Sequence, residues 1–96
     1  MDGKQRREFL ESLSDFTLYE TFYEAGTMLG GGTLVVLERK ASEQQDSGMF
    51  RRFRRERFDM GDDRNDTRKN DRERQIRLIE RWNDRRETLE REYGLR

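Results

Sequence analysis

The chain has no cysteine, no histidine and no proline. Without cysteine there is no disulfide, no thiolate ligand and no thiol nucleophile, and the redox compartment is left open. Without histidine the commonest general base and the commonest metal ligand are both missing. Apolar volume is scarce as well. Leu, Ile, Val and Phe supply 19 of the 96 residues, near the roughly 20% level below which chains tend to stay unfolded. The one uncharged run of note, Ala25 to Leu37, is thirteen residues long and holds three consecutive glycines, short of the roughly 20 residues a spanning helix needs. Met1 to Glu11 is polar and lacks the apolar stretch of a signal peptide, which predicts a cytoplasmic protein.

What is abundant is charge, at 44% of residues, with Lys+Arg 21 balancing Asp+Glu 21. Self-repulsion therefore does not hold the chain open. Length allows one small domain with a thin core, and such a fold is marginal until a partner or a second copy completes it. The charge is unevenly spread. Residues 1 to 37 carry Lys4, Arg6 and Arg7 against Asp2, Glu8, Glu11, Asp15, Glu20 and Glu24, so the remainder is net positive. The order is an apolar, mildly acidic head (1–40), a loop (41–48), an Arg/Phe amphipathic segment (49–60), a charged linker (61–70) and a C-terminal helix (71–93).

Hydrophobic spacing predicts a mainly α protein: small, helical, with a long C-terminal amphipathic helix. Phe9, Leu10 and Leu13 mark a first helix whose stripe continues to Phe16. Residues 15 to 29 read either as a strand, with Phe16, Leu18 and Phe22 alternating with Thr17, Tyr19, Thr21 and Tyr23, or as a helix, which Glu20, Glu24 and Ala25 favour, with Gly30 as a stop. Thr33 to Glu38 has the β-branched character of a short strand, so a β element around 33–38, and with it an α+β fold, is the alternative. In the last helix Asn70 can cap with Glu73 to answer it, and Gly94 marks the end. Leu78, Ile79, Trp82, Leu89 and Tyr93 share one face, which Arg86 interrupts. Glu73 with Arg77 and Glu87 with Arg91 are suitably placed ion pairs.

The motifs that suggest chemistry fail on inspection. Gly30 to Gly32 with Thr33 lacks the Gly-Lys-Ser/Thr of a phosphate loop and reads as a turn. Gly26-x-x-x-Gly30 would allow close helix contact. Asp63, Asn65 and Thr67 start like a calcium loop, but Arg68 stands where glycine is needed and Arg74 where a bidentate glutamate is needed. The serines have no base to activate them. No catalytic, cofactor-binding or metal residue is assigned, and the predicted function is non-enzymatic.

Arginine stands above background, with 18 Arg to 3 Lys and five arginines between Met49 and Phe58. Guanidinium forks suit phosphate or carboxylate and stack on rings. The leading expectation is an interaction protein, a structural or adaptor subunit of a virion, nucleoprotein particle or multi-subunit complex. Phe16, Phe22, Leu34, Val36, Trp82, Leu89 and Tyr93 would contact a protein partner or a second copy. Arg51, Arg52, Arg54, Arg55 and Arg57 would grip an acidic or phosphate-bearing surface. The alternative is a small nucleic-acid-binding or regulatory protein acting through the same arginines, although a pI of about 6.4 is low for one. Interfacial contact with a membrane ranks third. No small-molecule substrate and no cofactor is predicted.

Overall fold

The computed structural model describes residues 2–95, and these form only helices and short connections. They are α1 (Gly3–Ser12), α2 (Asp15–Gly26), a π-helical segment (Thr27–Leu34), α3 (Val35–Glu43), α4 (Ser47–Asn65) and α5 (Arg72–Glu92). The mainly α fold read from the sequence is the fold observed. No strand occurs among the described residues, and 33–38 is helical.

Local chemistry sets where helices begin and end. Asp2, Ser14, Asp46 and Asp71 each accept a hydrogen bond from the backbone N–H three residues on, at Gln5, Thr17, Met49 and Arg74. Each such cap satisfies a donor that the first turn leaves free. At α1 the Gln5 side chain also accepts from the Asp2 N–H, which completes a capping box. The cap of α5 is Asp71, one residue beyond the Asn70 that the sequence offers. Two helices end through a left-handed residue. Gln45 (φ 57°) follows α3 and lets Asp46 N–H reach Ala41 O, while Gly94 (φ 64°) follows α5 and lets Leu95 N–H reach Glu90 O.

The glycine run does not interrupt the helix. Backbone angles at Gly26, Thr27, Leu34 and Val35 are all right-handed helical, so α2, the π segment and α3 form one rod of 29 residues. At about 1.5 Å per residue the rod spans roughly 40 Å, close to the 45 Å long dimension of the molecule. Gly30 was expected as a stop and the run as a turn. Packing overrides that preference, because a Cβ on Gly30 would lie 2.6 Å from Met60 Sδ and one on Gly26 would lie 3.0 Å from Arg64 Cδ. The Gly26-x-x-x-Gly30 spacing thus serves close contact inside the chain, with α4.

Two helices flank the rod. The turn at 44–46 folds α4 back antiparallel to α3, so the loop is shorter than the 41–48 expected. α4 then runs through Gly61 to Asn65, making helix of half the expected linker. α5 runs parallel to the rod, with Arg72 beside Asp15, Trp82 stacked on Phe22 (5.2 Å between ring centres) and Tyr93 edge-on to Phe53 (5.6 Å). α1 crosses this end, with Arg7 reaching Glu73 and Glu80 of α5.

The core is Leu18, Phe22, Leu29, Leu34 and Leu37 from the rod, Met49, Phe53 and Met60 from α4, and Ile76, Leu78, Ile79, Trp82 and Leu89 from α5. Each such side chain contributes about 1.5–3 kcal/mol when fully buried. Of the stripe predicted on α5, Leu78, Ile79, Trp82 and Leu89 are buried and Tyr93 is half-buried, and Ile76 and Gln75 widen it because α5 packs against both α1 and the rod. Gln75 Nε2 donates to Arg68 O and Lys69 O, which holds the connection 66–71 in place. The stripe predicted to run from Phe9 to Phe16 breaks between α1 and α2. Only Leu10 is buried, and both phenylalanines are exposed.

Candidate docking face

The five arginines of the Arg/Phe segment divide by the side of α4 they occupy. Arg57 lies on the edge toward α3. Its Nε donates to Glu38 Oε2 at 2.6 Å and an Nη donates to Glu38 Oε1 at 3.1 Å. The Glu38 side chain is only 8% exposed. The hydrogen bonds from Arg57 to Glu38 push the guanidinium above its ordinary pKa, against the opposing effect of burial. Arg57 therefore clamps α3 to α4 rather than standing free, although its guanidinium also lies over the exposed Phe58 ring at 4.9 Å.

The other four face outward. Arg51, Arg54, Arg55 and Phe58 are spaced i, i+3, i+4 and i+7, which places them on one ridge opposite the buried Phe53 and Met60. Arg52 borders the ridge on the side of α5. Phe58 is 49% exposed. The Arg54 guanidinium sits over both Phe50 (5.8 Å) and Phe58 (5.4 Å), which fixes an otherwise mobile side chain beside an exposed ring. Arg55 meets Asp59 at 3.5 Å, but the side chains are 82% and 63% exposed, so the pair contributes at most about 1 kcal/mol. Arg51 and Arg52 have no carboxylate within 4 Å among the described residues.

Of the residues assigned to a protein partner, Phe22, Leu34, Trp82 and Leu89 are core. They are correctly read as apolar and helical, but the chain's own helices cover them. Tyr93 is half-buried against Phe53. Phe16 and Val36 are exposed, Phe16 at 72%.

Phe16 belongs to a second surface that the sequence reading did not assemble. Phe16, Glu20 and Glu24 recur at i, i+4 and i+8 along the solvent side of α2, and all three are exposed. No lysine or arginine occurs from residue 8 to residue 38. Neither Glu20 nor Glu24 has an ion pair among the described residues. The available signal was that cation-free stretch combined with an aromatic residue on the polar side of a helix.

Concave features are shallow. A groove of about 350 Å³ between α4 and α5 is floored by Leu29, Met60 and Trp82, and its rim carries both arginines and carboxylates. There Arg85 donates to both Glu56 oxygens, at 2.8 and 2.9 Å. No group of three or more metal-ligating side chains occurs among the described residues. No described helix is long and apolar enough to cross a membrane. The fold and the exposed ridge define a small α-helical protein with an arginine-aromatic face. Comparison with protein-family models, curated proteins and solved structures finds no match for the chain.

Proposed function

We propose that the protein is a non-enzymatic interaction subunit, structural or adaptor in kind, that docks an acidic surface on the outward ridge of α4. One observation carries this reading: Arg51, Arg54 and Arg55 share the outward ridge with the half-exposed Phe58, over whose ring the guanidinium groups of Arg54 and Arg57 lie at 5.4 and 4.9 Å, while Arg57 is also held by Glu38. An exposed aromatic ring on an arginine-rich ridge matches the composition of binding hot spots, where Arg and aromatic residues are enriched. The ring supplies desolvation and the forks supply direction.

Affinity capture tests it. The wild-type chain should retain partners at low salt and release them at high salt, and the Arg51→Gln/Arg54→Gln/Arg55→Gln protein should retain none of them. Identical capture by both proteins would remove the ridge as the docking element. A second reading places phosphates of a nucleic acid on the same ridge, supported by the lack of a carboxylate beside Arg51 and Arg52. It requires that affinity for an oligonucleotide fall linearly with the logarithm of salt, with a shallower slope in the triple variant.

A further inference from the structure

Resting on the α4 ridge as a docking element, we infer that its occupant is a second copy of this chain, seated through the acidic-aromatic strip of α2. The two surfaces match in length and in order of groups. Phe16 to Glu24 covers about 12 Å of α2 and Arg51 to Phe58 about 10 Å of α4 at 1.5 Å per residue. Laid antiparallel, Phe16 meets Phe58, Glu20 meets Arg54 and Arg55, and Glu24 meets Arg51. Each carboxylate gains a guanidinium partner and each exposed phenyl ring gains an apolar neighbour. Both strips are straight helix faces, so docking requires no rearrangement of the fold.

Charge favours this occupant over a polyanion. The formal net charge is zero, so no overall field draws the chain to nucleic acid or drives two copies apart. A nucleic acid laid on α4 would satisfy the arginines and leave Glu20, Glu24 and Phe16 uncovered. A second copy presents the complement of each strip. Because the strips lie on different helices, the contact closes into a dimer only if it forms twice, reciprocally; otherwise it extends as a chain.

Sedimentation of the full-length protein tests the inference, at about 10 mM and about 1 M salt, where the Debye length is about 30 Å and about 3 Å. The wild type should exceed monomer mass at low salt, increasingly with concentration, and return to monomer at high salt. Glu20→Arg/Glu24→Arg and Arg51→Glu/Arg55→Glu should each weaken self-association at least tenfold, since each places like charges together. Mixed in equal amounts, the two variants should associate again, because each then offers what the other lacks. Circular dichroism establishes that both remain helical. A wild type that stays monomeric at low salt, a variant that self-associates like the wild type, or a folded mixture that stays monomeric overturns the inference. The Glu20→Arg/Glu24→Arg protein separates this failure from that of the docking reading. If it captures an acidic partner normally while the wild type is monomeric, α4 docks something else and only the self-contact falls.

Discussion

Arg72 opens α5 and donates to the Asp15 carboxylate (2.8 Å), to Glu11 O (3.0 Å) and to Leu13 O (2.8 Å), closing the corner between α1 and α2. Arg51, in the first turn or so of α4, reaches no acceptor among the described residues. The contrast extends along both helices. On α5, Arg74 donates to Thr67 Oγ1, Arg85 holds both oxygens of Glu56, and Arg86 donates to Glu90. The hydrogen bonds to Glu56 raise the Arg85 pKa above its ordinary value. On the outward ridge of α4 the guanidinium groups lie over rings or extend into solvent. Residue type and helix geometry are the same in the two helices; what stands opposite differs. α5 packs against α1 and the rod and carries Arg72, Arg74 and Arg85 to carboxylates from other segments, leaving Arg77, Arg81 and Arg91 on its solvent side, whereas the outer side of α4 has no neighbour. Arginine content thus mixes forks that hold the fold with forks left exposed, which we propose serve docking, and the two are separated only by asking what each fork reaches.

Arg57 is the decisive case, because it belongs to α4 yet behaves like the arginines of α5. Arg57→Met should destabilise the protein by about 3 kcal/mol, since it leaves the Glu38 carboxylate buried without its partner. Urea denaturation followed by circular dichroism measures this. Replacing both partners, as Glu38→Leu/Arg57→Met, should recover most of the loss, because two apolar groups leave no charge uncompensated. A single variant as stable as wild type would place Arg57 with the docking arginines.

Arg72→Met should cost less, about 1–2 kcal/mol, because the exposed Asp15 can turn to water while the carbonyl of Leu13 loses a donor. The effect should be local. Hydrogen exchange ought to accelerate in α1 and the first turn of α2 and stay unchanged in α4. Uniform acceleration across all helices would mean that Arg72 supports the global fold rather than the corner.

Much of the fold is legible in the residues. The apolar period of α5, the end at Gly94 and the helical lean of 15–29 all follow from local rules, and local rules govern them in the structure. The misses share one cause. Gly30 and the run after it look like a break, and Gly61 looks like another, until α4 is known to lie against the rod and bring Met60 Sδ to 2.6 Å from where a Gly30 Cβ would stand. Asn70 and Asp71 are both good caps, and the choice depends on the connection that Gln75 holds from below. The proposed docking face was half legible: the Arg/Phe cluster is plain in the sequence, but the division of Arg57 from its neighbours rests on Glu38, nineteen positions away. Trp82 and Phe22 carried the right chemistry for an interface and the wrong location, since periodicity shows that a face is apolar without showing which surface covers it.

The smallest expected effect is the most discriminating for the comparison. Arg51→Gln/Arg52→Gln should shift the free energy of unfolding by no more than about 0.5 kcal/mol, because neither side chain has an acceptor to lose and exposed substitutions away from caps and packing are nearly neutral. At high salt, and at low salt in solutions dilute enough to keep the protein monomeric, the midpoint in urea should stay level with wild type, since no intramolecular attraction is available for salt to screen. Lengthening the change to include Arg55 should add little, as its pair with Asp59 is solvated on both sides. A loss comparable to that of Arg72→Met would show that the outer arginines hold the helix itself, and the distinction between holding and docking would then fail at the residues on which it rests.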